Sequence, residues 1–76
     1  MERSQYELTA SGPRWGLGWL VAEVETEAEA LEWAEENLLE GDAADLYLTG
    51  PGADSVHTGR RFECRGGVVQ RIAVAV

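Results

Sequence analysis

The stretch Asp54-Ser55-Val56-His57 contains the three side-chain types of a hydrolase triad: an acid, a hydroxyl nucleophile and an imidazole base. Triad members normally come together from distant positions in the chain, with the base within hydrogen-bond reach of the nucleophile. Here they are neighbours in a predicted polar loop, and no glycine pattern typical of an oxyanion hole accompanies them. We therefore interpret the stretch as ordinary loop composition, and the sequence predicts a protein that is not an enzyme.

Metal and cofactor chemistry is not indicated either. Cys64 and His57 are the only residues of their types, so one chain can form neither an internal disulfide nor a zinc site of cysteine and histidine ligands. Cys64 lies in an apolar pattern, where a free cysteine usually behaves as a small buried hydrophobe. The glycines of 16–18 and 50–52 do not separate a strand from a helix, and no lysine follows them. The sequence predicts no cofactor and no bound metal.

The acidic residues are concentrated between positions 23 and 45. That segment holds ten Asp and Glu residues and no Arg, whereas the rest of the chain has four acids and six arginines, so −10 and +2 combine to the net charge of −8. Like charges four residues apart on a helix, such as Glu32–Glu36 and Glu36–Glu40, are each destabilising by about 0.2–0.5 kcal/mol. The concentration favours either a binding surface or a solvated face that serves solubility.

The elements that position these residues begin with two strands. Residues 4–10 alternate between apolar and polar side chains, which is typical of a half-buried strand. The break at 11–13 is followed by a second strand from about 15 to 24, which is apolar on both faces. Gly16 and Gly18 indicate a bulge or bend within it. The two strands are predicted to form a hairpin.

A helix follows, and its ends are indicated by capping residues. Thr26 and Glu29 have the spacing of a capping box, and Gly41 stands where a glycine often follows the last helical residue, so the helix is predicted to extend to Glu40. At 100° per residue, alanine, leucine and tryptophan side chains fill one arc and glutamates the other. This pattern predicts an amphipathic helix that packs on a sheet.

The C-terminal part is predicted to contain three strands. A short strand at 45–49 precedes a polar loop at 53–59, and a final hairpin pairs 60–65 with 68–76 around Gly66-Gly67. A three-residue connection is favoured because it places the hairpin's apolar side chains on one face, namely Phe62, Cys64, Val68, Ile72 and Val74. The predicted fold class is α+β, with one helix on a mainly antiparallel sheet in the order ββ-α-βββ.

Length and composition limit the remaining possibilities. A chain of 76 residues with 45 % hydrophobic residues is expected to form one small domain, 1–76. Its longest apolar run is far shorter than the ~20 residues that cross a bilayer, and no signal-peptide pattern opens it. We expect a cytoplasmic protein with no membrane partner. Direct binding of duplex DNA is not expected, because the acidic segment repels phosphates.

The candidate protein-binding residues all belong to the acidic segment: Glu29, Glu32, Trp33, Glu35, Glu36, Glu40 and Asp42. In a continuous helix, Glu29 and Glu40 are about 16 Å apart. The glutamates between them then follow at about 5.5 Å, compared with about 3.4 Å per phosphate along one DNA strand. Such a face is expected to compete for a basic surface that binds nucleic acid. Trp33 lies at the edge of this face, either as a packing residue or as an interface anchor.

In size and order of elements, the chain resembles the small phage-encoded inhibitors called anti-CRISPR proteins. The resemblance is carried by the strand Tyr6–Ala10, the capped helix Thr26–Glu40 and the three strands that end in 60–76. Several members of that group are acidic DNA mimics that block the nucleic-acid groove of their target. The resemblance contains no shared motif, so it assigns no role to any residue.

Two functions are consistent with these observations. The first is a non-enzymatic inhibitor whose acidic helix occupies a basic nucleic-acid-binding surface of a larger complex. The alternative is a small structural or interaction subunit that self-associates, or docks on a larger protein, through its sheet and its second strand. The residues that indicate this second mode are Trp15, Leu17 and Trp19. The protein is accordingly expected to be a monomer or a homodimer.

Overall fold

The computed structural model describes residues 5–49 and 55–75, and these form one helix and five strands. In chain order the elements are β1 (Tyr6–Gly12), β2 (Gly16–Val24), α1 (Glu27–Asn37), β3 (Ala43–Leu48), β4 (Val56–Arg65) and β5 (Val68–Ala73). The predicted α+β class and the order ββ-α-βββ are confirmed. No helix within these two ranges combines the length and the apolar character that crossing a bilayer requires.

The five strands form one sheet in the order β2-β1-β3-β4-β5, and every neighbouring pair is antiparallel. β1 and β2 form the predicted hairpin. The connection through α1 then returns the chain to the other side of β1, where β3 pairs. β2 and β5 are therefore the two edge strands, and α1 packs on one face of the sheet.

The core lies between α1 and the three central strands. Alternation along β1 directs Leu8 and Ala10 toward the helix, and Leu46 of β3 lies directly opposite Leu8. The helix contributes Ala30 and Ala34, which are fully buried. Because these side chains are small, the helix approaches the sheet closely, and the larger leucines and Phe62 fill the space from the sheet side.

The predicted N-terminal cap of the helix is confirmed. Thr26 has extended backbone angles, and its hydroxyl accepts a hydrogen bond from the backbone N–H of Glu29 at 3.1 Å. Glu29 in turn accepts at 2.8 Å from the backbone N–H of Glu25, one residue before the cap. Thr26 thus satisfies a donor that the first helical turn leaves unpaired, and Glu29 satisfies the backbone donor just before the cap.

The prediction that the helix extends to Glu40 is wrong. It ends at Asn37, because Leu38 has extended backbone angles (φ −80°, ψ 138°) and acts as the C-cap. Gly41 (φ +90°) belongs to the turn that leads into β3 and not to the helix terminus. This turn is held by Asp42, whose carboxylate accepts a hydrogen bond from the backbone N–H of Leu39 at 2.9 Å.

Strand boundaries in the C-terminal half also differ from the prediction. β3 covers Ala43–Leu48 instead of 45–49, and β4 begins at Val56, inside the loop predicted at 53–59. The first residues of that loop lie outside the described part of the chain. A register shift near Gly59 (φ +88°) explains the missed strand, because this bulge interrupts the alternation on which the prediction depended.

The connection between β4 and β5 has two residues and not the predicted three. Arg65 pairs with Val68, and Gly66 and Gly67 have φ of +63° and +78°, as a type I′ hairpin turn requires. As a result, Arg61 lies opposite Ile72 on the sheet face away from the helix. The expected grouping of the apolar residues on one face does not occur. Arg61 is tolerated there because the carboxylates of Asp45 and Glu63 form ion pairs with it.

Candidate protein-binding face

We define the acidic face by six exposed glutamates on α1 and its two flanking turns: Glu25, Glu29, Glu32, Glu35, Glu36 and Glu40. Glu29, Glu32 and Glu36 form a stripe along the solvent side of the helix, because residues three and four apart lie on one surface. The shorter helix changes the position of Glu40, which lies in the turn after Asn37. The sequence had suggested that Glu36 and Glu40 form a helical i,i+4 pair. They do not, because only Glu36 lies in the helix.

None of these six carboxylates forms an ion pair with a residue in the described ranges. Elsewhere in the fold, by contrast, acids lie beside arginines. Asp45 lies 2.9 Å from Arg61, and Glu27 lies 3.5 Å from Arg60. Glu63 also has an arginine on either side along its strand. The net negative charge of the protein is consequently concentrated where nothing in the described fold neutralises it.

Two members of the acidic face also have structural contacts. Glu29 completes the N-terminal cap of the helix. Glu40 accepts a hydrogen bond at 3.0 Å from the backbone N–H of Gly67, in the turn between β4 and β5. The remaining members are free to change without loss of such contacts, which makes Glu32 and Glu36 the best positions for testing the face by substitution.

Trp33 lies at the boundary between the acidic face and the core. Its side chain is half-buried against the core, and its ring centroid is 6.5 Å from that of Trp15 in a tilted arrangement. The guanidinium of Arg14 stacks over the Trp15 ring at 4.8 Å. Part of Trp33 therefore remains accessible beside the glutamates, while the rest of the ring anchors the helix to the β1–β2 turn.

Asp42 does not belong to the exposed face, contrary to the sequence prediction. Only 2 % of the residue is accessible, and its carboxylate accepts hydrogen bonds from Arg14 Nη2 at 2.7 Å and from the backbone of Leu39. Arg14 also donates to the carbonyl of Asn37 at 2.8 Å. This arginine supplies the positive charge that the last turn of the helix itself lacks. Asp42 therefore stabilises the helix end and is unavailable to a partner.

The environment of Asp42 lowers its pKa. Burial acts to raise the pKa of this carboxyl, but the hydrogen bonds from the Leu39 backbone and from Arg14, together with the positive charge of Arg14, outweigh burial. The pKa of Glu63 is also lowered, first by its hydrogen bond with Arg61 and, against the opposing effect of burial, by the charge of Arg65. Both carboxylates are thus ionised more easily in the folded chain than in the unfolded chain.

A polar network covers the sheet face opposite the helix. Arg61 donates to both oxygens of Asp45 at 2.9–3.0 Å and to Glu63 at 2.8 Å. His57 Nδ1 accepts from the backbone N–H of Gly59, so the neutral ring carries its proton on Nε2 and donates it to Asp45 at 3.1 Å. Sequence reasoning missed this network because it follows from the β3–β4 register, which places Asp45 opposite Arg61, and because the sequence had assigned His57 to a loop.

The triad-like stretch has a different arrangement from that of a hydrolase. The hydroxyl of Ser55 donates to Glu7 at 2.8 Å, while both ring nitrogens of His57 are engaged by Gly59 and Asp45. Asp54 lies outside the described residues. In the part of the chain that is described, no group of three His, Cys, Asp or Glu side chains is placed to hold a metal ion.

Stability is expected to fall when the solution is acidified. A folded-state pKa below the unfolded value means that the folded chain binds fewer protons, so Asp42 and Glu63 contribute stability that is lost as the pH falls below about 4. Urea denaturation followed by tryptophan fluorescence between neutral and acidic pH measures this loss. Glu63→Gln should reduce the dependence on pH. A steady rise in stability on acidification would contradict the prediction and show that relief of repulsion on the acidic face dominates.

Comparison with known proteins yields no relative: no family model matches the chain, and no curated protein or solved structure shows significant similarity to it. The function is therefore inferred from the fold and the acidic face alone.

Proposed function

We propose that this chain is a non-catalytic, protein-binding inhibitor of the anti-CRISPR kind. Its acidic face would occupy a basic surface with which a larger complex binds nucleic acid. The observation that supports this function is the contrast between the two groups of acids. Asp42, Asp45 and Glu63 are matched with arginines, whereas the glutamates of the acidic face have no cation beside them in the described fold. A basic partner would supply that missing positive charge.

The spacing of the charges supports a partner that normally binds a phosphate backbone. Glu29, Glu32 and Glu36 extend over seven helical steps, which is about 10 Å. Their mean separation is therefore about 5 Å, compared with about 3.4 Å per phosphate along one strand of DNA. The half-exposed ring of Trp33 adds an apolar contact at the rim, of the kind that often contributes strongly to binding.

Binding is expected to depend on the sign of the helix charge. The double substitution Glu32→Lys with Glu36→Lys replaces two unpaired exposed carboxylates by cations, and we expect it to weaken binding at least about a hundredfold. The measurement is an affinity pull-down from the source organism with wild-type and variant baits, followed by titration of the captured partner. Binding of the wild type should weaken with salt, and added nucleic acid should release the partner.

A matched control distinguishes the helix face from net charge alone. Glu7→Lys with Glu23→Lys changes the net charge by the same amount on the opposite face of the sheet, where the two residues lie directly across from each other. Circular dichroism checks that each variant is folded. The proposal requires the control bait to retain the partner that the helix variant loses. Equal retention by all baits, or equal loss from both variants, would contradict it.

A further inference from the structure

Edge strand β2 presents a row of apolar side chains to solvent. Leu17 is fully exposed, Trp19 is 67 % exposed and Leu20 is 53 % exposed. β2 pairs with β1 on one side, and no strand in the described part of the chain pairs with its other side. Edge strands usually carry charges or proline that discourage pairing with other chains, yet residues 15–22 contain neither. The segment is thus an uncharged, apolar edge on a strongly acidic protein.

The other edge strand differs in these respects. β5 has six residues compared with nine in β2, and it carries Gln70 and Arg71 near its middle. Its most exposed large apolar residue is Val68, beside the β4–β5 turn. A second copy that approached β5 would therefore place arginine near arginine, whereas the centre of β2 offers no charge to repel its own copy.

We infer that two copies of this chain associate through their β2 edges, with the strands antiparallel about a two-fold axis at Trp19. In an antiparallel pair of strands, directly opposed residues alternate between a hydrogen-bonded and a non-hydrogen-bonded geometry. A two-fold axis can relate only pairs of the same geometry, so it must pass between one residue and the same residue of the other copy. Counted along the two strands, an axis at Trp19 puts Gly18 opposite Leu20 and brings Leu17, which lies in a bulge, near Val21. An axis at Leu20 would put Leu17 opposite Glu23, a charged residue.

The bulges of β2 limit the strength of this contact. Register shifts on both sides of the Trp19–Leu20 pair shorten the regular ladder, so few backbone hydrogen bonds can form between copies. An interface restricted to this short ladder is expected to bury less than about 1,200 Å² in total, which is typical of weak and reversible association. The dimer is expected to form and dissociate with concentration. It uses a different surface from the acidic face, so it stands independently of the proposed function.

Sedimentation equilibrium over micromolar to millimolar concentrations tests the association. Wild type should show a monomer–dimer equilibrium. Leu17→Lys removes an exposed leucine twice per dimer and should raise the dimer Kd about a hundredfold. Val68→Lys likewise replaces an exposed aliphatic residue by lysine, but on the other edge strand, and should leave the Kd unchanged. A wild type that stays monomeric throughout, or equal effects of both variants, would overturn the inference.

Disulfide trapping tests the position of the axis. Trp19→Cys places two thiols on opposed residues whose Cα atoms are about 4.5–5.5 Å apart, within the range of a disulfide. Oxidation should therefore link this variant as a dimer. Leu17→Cys is the control, because its two copies lie four residues apart along the strands and should not link. Wild type controls for Cys64, which is buried. If the Leu17→Cys variant forms disulfide-linked dimers as efficiently as the Trp19→Cys variant, the proposed register is refuted.

Discussion

Replacing Asp42 by alanine is expected to lower the free energy of unfolding by about 3 kcal/mol, a large part of the stability of so small a domain. The carboxylate is buried and accepts hydrogen bonds from Arg14 and from the backbone N–H of Leu39. Its removal leaves that backbone donor without its partner and frees Arg14 from the helix end. The melting temperature should fall by roughly 15 °C, which thermal denaturation followed by circular dichroism measures directly.

Two further substitutions separate the contributions to this effect. Asp42→Asn keeps an acceptor for Leu39 but loses the charge that pairs with Arg14, so its effect should be intermediate. Glu35→Ala removes an exposed carboxylate without an ion pair in the described fold, and it should change stability by less than about 0.5 kcal/mol. A small effect of Asp42→Ala, similar to that of Glu35→Ala, would show that the buried contacts contribute little.

Asp42 illustrates what sequence could and could not predict about the candidate site. Its charge and its position beside Glu40 placed it correctly in the acidic segment. Its burial depends on Arg14, which is 28 residues away in sequence and becomes a neighbour only through the β1–β2 turn. Glu29, Glu32, Glu35 and Glu36 were predicted correctly as exposed because helical periodicity alone determines which side of α1 they occupy. Glu40 is also exposed, but it lies in the turn after the helix.

The same distinction holds for the fold. The helix start was predictable because Thr26 and Glu29 act locally, and the element order followed from the apolar patterns. The β4–β5 register was not predictable in the same way, because the apolar pattern favoured a three-residue turn. In the structure Asp45 and Glu63 neutralise Arg61, so a charged residue is tolerated opposite Ile72 and the two glycines form the tighter turn.

The acidic face also has an energetic consequence for its helix. Glu32 and Glu36 repel each other at i,i+4, and no basic residue stands in the last turn. Arg14 offsets part of this unfavourable charge from outside the helix, by donating to the carbonyl of Asn37. The fold therefore tolerates an unneutralised glutamate stripe because its helix end is stabilised by a cation from the neighbouring turn and not from the stripe itself.

The second large effect is expected at Gly12, where Gly12→Ala should destabilise the protein by about 3 kcal/mol or more. Its φ of +136° is a conformation that residues with a side chain rarely adopt. A Cβ atom there would also lie 2.9 Å from the Asp42 carboxylate, 3.0 Å from the Asp42 Cα and 3.1 Å from the Gly41 carbonyl. Two of these three contacts are backbone atoms, which cannot move aside as a flexible side chain does.

Gly66→Ala is the control that separates backbone conformation from crowding. Gly66 also has a positive φ, +63°, but an added Cβ would have no atom within 4 Å. Its substitution should therefore cost only about 1 kcal/mol. Urea denaturation of both variants compares the two costs, and similar losses would show that the contact with the Asp42 turn is not restrictive. In an Asp42→Ala background, Gly12→Ala should cost less than in wild type, yet still more than Gly66→Ala, because the clashes with the Asp42 Cα and the Gly41 carbonyl remain.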